Sequence, residues 1–148
     1  MKTLIFAKRV MREIIRDPLS LFFGLAFPLI LLILLSAINN SIPVDLFNIS
    51  SLAPGIAVFG LSFMALFAAQ VLAKDRASSF LTRLFTTPMT SSNFILGYML
   101  PLIIMSVLQV AFCLFSALFL GLDFSITIFA VILILIPMAL IYIGIGLI

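Results

Sequence analysis

Ionisable side chains are the groups with which a chain of this kind could do chemistry, and here they are few. The 148 residues hold eight Lys or Arg, five Asp or Glu, and no His. The acids are Glu13, Asp17, Asp45, Asp75 and Asp123, and each is expected in a loop or at a helix end. None is therefore expected to carry a proton or an ion through an apolar layer. No His, Cys, Asp or Glu cluster has the spacing of a metal site, and no Ser or Cys has a His to activate it. Gly55 and Gly60 have the spacing of a phosphate-binding loop, but Leu61-Ser62 follows where Lys-Ser/Thr is required. The reading assigns no catalytic, cofactor-binding or metal-binding residue. Any work against a gradient would draw its energy from another polypeptide.

The polar residues left inside apolar runs are Gln70, Ser106, Gln109 and Ser116. Each is expected to form a helix–helix hydrogen bond, worth about 0.6 kcal/mol. Gln70 and Gln109 are also the candidates for lining a translocation path, a substrate contact at Gln109 being the alternative to its helix–helix bond.

Two amphipathic stretches have the pattern of binding surfaces. In residues 2–16 (KTLIFAKRVMREIIR), Leu4, Phe6, Ala7, Val10, Met11, Ile14 and Ile15 share one helical face. Lys2, Lys8, Arg9, Arg12, Glu13 and Arg16 share the other, and Ile5 is out of place. Such a basic amphipathic helix belongs in the cytoplasmic headgroup layer. It can serve as a topology anchor and as a docking surface at once. Pro18 disfavours helix at Asp17 and ends it. In 74–93 (KDRASSFLTRLFTTPMTSSN), Ser78 or Ser79 can cap a short helix. Phe80, Leu81, Leu84 and Phe85 would form its apolar stripe, with Arg76 and Arg83 beside it and Thr86-Thr87-Pro88 ending it. That stripe must be covered by lipid or by protein.

The rest of the chain holds these stretches in a membrane. Apolar residues make up 65% and charged residues 9%, against about 25% charged in a soluble domain. Disorder needs the opposite balance. Uncharged runs separate the loops, and about 20 helical residues cross a hydrocarbon core about 30 Å thick. The chain reads as a single all-α integral membrane domain, 1–148. It comprises an interfacial helix over 1–17, spans at 18–38, 55–73, 94–120 and 126–148, and a cytoplasmic segment at 74–93. Continuous Leu, Ile and Phe runs exclude the alternation of a β-barrel. Pro28, Pro101 and Pro137 fall inside spans and are expected to kink them, and Pro54-Gly55 is expected to open the second span.

All eight basic residues lie before the first span or between the second and third. The positive-inside rule then puts the N-terminus and the middle loop in the cytoplasm. The net charge of +3 expresses this topology and calls for no nucleic acid. The first apolar run exceeds that of a signal peptide and lacks a small-x-small cleavage pattern. A lone Cys113 allows no intramolecular disulfide. The N-x-S triplets at Asn39 and Asn48 matter only in a glycosylating pathway.

Taken in order, these features resemble the permease of a type-2 ABC transporter, the bacterial exporter family. The matching features are an amphipathic helix ending in Arg16-Asp17-Pro18, then Phe27-Pro28 before a Leu-rich run, and Pro54-Gly55 at span two. A charged turn with Leu84 and Thr87-Pro88 follows, then Gly97 and Gln109 in span three. The chain departs from the pattern at Asp75-Arg76-Ala77-Ser78-Ser79, where many relatives are more acidic, and near Tyr98, where a basic residue is frequent. The likeness covers the whole chain and corresponds to the first four helices of a six-helix bundle.

The resemblance implies a homo- or heterodimer of permeases in a bacterial cell membrane, with cytoplasmic ATPase subunits that bind the ATP. It also implies that the 74–93 segment carries a coupling helix, Phe80, Leu81, Arg83, Leu84, Phe85, Thr87 and Pro88, seated in a groove of the ATPase. The interfacial helix, with Lys8, Arg9, Arg12 and Arg16, would lie beside it. Two other classes are weighed against this. A four-helix proton-coupled antiporter needs an intramembrane carboxylate, which is lacking here. A non-transporting scaffold or hole-forming protein fits the composition but not the ordered motifs.

Overall fold

The computed structural model describes residues 2–41, 48–78, 90–122 and 126–148. Among these the chain is helical, without strands, and four helices are long and apolar enough to cross a membrane. The first helix, α1, runs Lys2–Arg16. The first span is built from α2 (Pro18–Leu21), a π-helical turn (Phe22–Ala26) and α3 (Phe27–Ser41). The others are α4 (Ile49–Ala77), α5 (Ser91–Phe119) and α6 (Ile126–Leu147). The chain is an all-helical integral membrane bundle with an amphipathic helix at its N-terminus.

The break between α1 and α2 is made by three residues. Asp17 is extended (φ −93°, ψ 100°), its Oδ1 accepts the Leu19 amide at 3.2 Å, and Pro18 follows in the first turn. This is an N-cap with proline at a position that needs no donor. The next irregularity follows from Pro28. Proline cannot donate to the carbonyl four residues earlier, and the turn before it widens so that the Phe27 amide reaches Phe22 O. Pro101 and Pro137 leave α5 and α6 continuous.

Helix α4 is the centre of the bundle. It starts at Ile49, ahead of the expected Pro54-Gly55, because Asn48 O accepts the amides of both Ser51 and Leu52 at 2.9 Å. Its buried residues, among them Ala53, Ala57, Gly60, Leu61, Met64, Ala68 and Val71, recur every three or four positions. They meet α3, α5 and α6. Within lipid the drive for helix pairing is close packing, so small residues mark the contacts. A side chain at Gly146 would collide with the Ala65 backbone, which shows how near α6 runs to α4. Just past the end of α5, Gly121 has a φ of +100° that lets the Leu122 amide return to Ala117 O at 3.0 Å.

The placement of α1 differs from the amphipathic expectation. Phe6, Ala7, Val10 and Ile14 are buried, whereas Leu4, Ile5 and Ile15 are exposed. One apolar face has been divided, its centre packing on α5 and the margins left outside. Helix α1 lies where α2 begins, α4 ends and α5 begins, because its side chains bond or pack at all three places.

Candidate functional site

That meeting place contains a polar cluster. Asp75 sits in the last turn of α4, only 2% exposed. Its Oδ1 accepts Arg9 Nη2 at 2.7 Å and its Oδ2 accepts Arg9 Nη1 at 3.0 Å. Tyr98 on α5 donates its phenol to Oδ2 at 2.6 Å. One carboxylate thus joins three helices through a bidentate guanidinium pair and a short hydroxyl bond, the strong class of hydrogen bond. A second layer lies toward water. Glu13 takes Lys74 Nζ at 3.0 Å and approaches Arg9 Nη2 at 3.4 Å.

Apolar packing fixes the geometry from the other side. The Phe6 ring stands edge-on to Tyr98 at 4.9 Å and stacks on Phe94 at 6.1 Å. Phe94 meets Tyr98 edge-on at 5.0 Å. Such aromatic pairs are worth about 0.5–1.5 kcal/mol beyond area burial. Gly97 makes room for them, since a Cβ there would overlap the Phe6 ring. Thr3 donates to Asn93 at 3.1 Å, which adds a polar contact near the start of α1.

The charge state follows from this arrangement. Asp75 holds the Arg9 guanidinium above its ordinary value through their hydrogen bond, with burial working against it. Arg9 therefore stays protonated, and the tie does not open by losing that proton. Near the α1–α2 break, the Ser20 hydroxyl bonded to Asp17 at 2.7 Å draws that carboxyl below its usual range.

Asp75, expected in a loop or at a helix end, lies in the last turn of α4, and its burial is what the sequence does not show. Helix α4 continues to Ala77, past the charged residues, so the carboxylate enters the bundle. Arg9 was expected on the solvated face of α1, yet it turns inward to meet it. Neither residue is conspicuous in sequence, because the pairing spans 66 positions. The usable signal was the occurrence of a lone acid and a lone tyrosine at the facing ends of two spans.

The other candidate residues are scattered. Lys8, Arg12 and Arg16 line α1 without joining the Asp75 cluster. Gln109 is 1% exposed between α5 and α4, where its Nε2 donates to Ala57 O at 3.4 Å and it packs into the space left by Gly60. Its Oε1 is buried without a hydrogen-bond partner among the described residues. Gln70 lies on an exposed face of α4, so the structure does not bring the two glutamines together. Ser106 was expected to bond another helix, but its hydroxyl returns to Ile103 O at 2.9 Å, the local bond that serine favours within a helix. Phe80, Leu81, Arg83, Leu84, Phe85, Thr87 and Pro88 lie outside the described residues. What the structure defines is their frame: α4 ends at Ala77, and Thr90 caps α5 by accepting the Asn93 amide at 3.4 Å.

No group of three or more His, Cys, Asp or Glu among the described residues could hold a metal. The arrangement holds helices together and carries charge.

Comparison with known proteins supplies the family. The sequence model of the ABC-2 type transporter matches residues 1–148. A Pyropia yezoensis protein named as a transport permease, ycf38, is 33% identical over 119 residues, covering 76% of this chain and 41% of its own length. Its namesake in Porphyra purpurea is 32% identical over 120 residues, covering 77% and 41%. The chain spans about two-fifths of the length of these relatives. No solved structure matches. These matches agree with the resemblance carried by Arg16-Asp17-Pro18, Phe27-Pro28 and Gly97: the chain belongs to the ABC-2 type transporter family of multi-pass membrane proteins.

Proposed function

We propose that this chain is the membrane-spanning part of a permease subunit in an ATP-driven exporter. ATP is bound and hydrolysed by a separate cytoplasmic ATPase, and a second permease subunit, identical or different, completes the path. The N-terminus and the 74–93 segment face the cytoplasm, in the bacterial cell membrane that the family resemblance implies. The observation that supports this best is the Arg9–Asp75–Tyr98 tie. It braces α1 against both helices that flank the proposed coupling segment. A lever that converts movement of a partner into movement of spans needs such a rigid root, because a flexible one would absorb the displacement.

The reading is tested by purifying the tagged full-length protein from its own membrane. An ATPase bearing a lysine-containing phosphate loop should co-purify, and its hydrolysis rate in lipid vesicles should depend on the permease. Absence of any such ATPase, with normal insertion, would favour a non-transporting scaffold.

A further inference from the structure

We propose that an open cavity of about 550 Å³ at the junction of α1 with the first span is a binding site for the headgroup of an anionic phospholipid. Arg9, Arg12, Arg16 and Lys74 line it together with Glu13 and Asp17. The two acids are already engaged. Glu13 contacts Lys74 and Arg9, and Asp17 accepts the Ser20 hydroxyl and the Leu19 amide. Arg12 and Arg16 are exposed and form no ion pair among the described residues. They stand four positions apart on one helix, where like charges repel. Arg9 is already paired with Asp75 behind the wall, so four cations against three carboxylates leave one excess positive charge. A phosphodiester supplies a compensating negative charge and oxygens that suit guanidinium forks.

The surroundings select a lipid over a free phosphate, which shares this chemistry. Pro18 lines the cavity and also opens the first span, so the site lies level with the edge of the apolar layer. Ile15 and Leu19 follow Arg12 and Arg16 by three positions and are 54% and 60% exposed. Cations and apolar side chains therefore alternate along the same short stretch, as an amphiphile with an anionic head requires. The volume falls within the range of about 300–1,000 Å³ usual for small-molecule sites.

The test is native mass spectrometry of the purified protein in neutral detergent, titrated with phosphatidylglycerol, phosphatidylcholine or inorganic phosphate. Phosphatidylglycerol should be retained, phosphatidylcholine should not, and inorganic phosphate should not displace the lipid. Arg12→Ala with Arg16→Ala should weaken retention about 25-fold, each basic side chain contributing about fivefold. Arg12→Lys with Arg16→Lys keeps the charge and should retain the lipid with an unchanged melting temperature. Lys8→Ala with Arg76→Ala removes the same charge outside the cavity and should bind as the parent does. Unchanged retention in the double alanine variant would overturn the proposal. So would equal losses in the test and control variants, which mean diffuse surface attraction, and so would displacement by inorganic phosphate. Loss of a co-purifying protein from the double alanine variant, with lipid retention intact, would make the cavity a protein-docking surface and also overturn it.

Discussion

Asp75 and Tyr98 stand on different spanning helices, and the phenol donates to the carboxylate at 2.6 Å. The bond closes the neck of the connection between α4 and α5, and Arg9 braces it from α1. Both ends of the proposed coupling segment are thus anchored to one carboxylate, so a force applied there reaches the interfacial helix as well as two spans.

The Arg9–Asp75 pair should respond unequally to loss of either partner. The Asp75 side chain is 3% exposed and that of Arg9 38%. Arg9→Ala strands a buried carboxylate and should cost about 3–5 kcal/mol. Asp75→Ala leaves a guanidinium that can turn to water and a neutral Tyr98 hydroxyl without its partner, and should cost less than a stranded carboxylate. Arg9→Lys keeps the charge without the fork and should fall between them. Thermal unfolding followed by thiol dye labelling of the buried Cys113 reads all three, and a reversed order would refute the burial argument.

Gly97 should be intolerant of even a methyl group. Gly97→Ala pushes a Cβ into the Phe6 ring, an overpacking that costs about 1–3 kcal/mol. Release of α1 would expose the Lys8–Arg9 region to trypsin. Phe6→Ala removes the obstruction, so the Gly97→Ala substitution should cost less in that background. Additive effects in the double variant would show that the two sites do not touch.

Gln109 separates structure from transport. Its Oε1 is buried and unpaired among the described residues, so Gln109→Met should leave stability equal or raise it by about 1 kcal/mol. If the residue also contacts a transported molecule, as proposed from the sequence, transport by the full-length protein should fall while stability holds. A stable variant that transports at the parental rate would leave Gln109 only a packing role.

Leu84 and Phe85 test the coupling role. The short helix expected for them from the sequence would not be stable alone, and each buried large side chain contributes about 1.5–3 kcal/mol. In the full-length protein, Leu84→Ser with Phe85→Ser should weaken association with the ATPase or uncouple hydrolysis from transport, with insertion unchanged. Phe63→Ser is the control. It disrupts a partly buried ring cluster with Phe23, Phe27 and Phe59 between the first span and α4 and should lower stability instead. Parental transport and hydrolysis in the double serine variant would remove the coupling role.

Some of this molecule is readable from local pattern alone. Apolar runs longer than the membrane is thick made the spans unavoidable, and the 3.6-residue period of Phe6, Val10 and Ile14 made α1 amphipathic. Arg16-Asp17-Pro18 marked a helix break because cap and proline chemistry act within a few residues. The order of these features carried the family resemblance that the full-length match supports. What the period could not show was how many neighbours α1 would have, and so which apolar residues would be covered. Nor could it show that Arg9 would turn from the polar face toward Asp75, or that Gln109 would occupy the space over Gly60 while Gln70 stayed outside. Membrane crossing is a property of composition summed along a segment, which a sequence displays directly. The Arg9–Asp75–Tyr98 cluster depends on the rotation and offset of three helices, which are set by packing between residues far apart in the chain, and only the tertiary structure decides that.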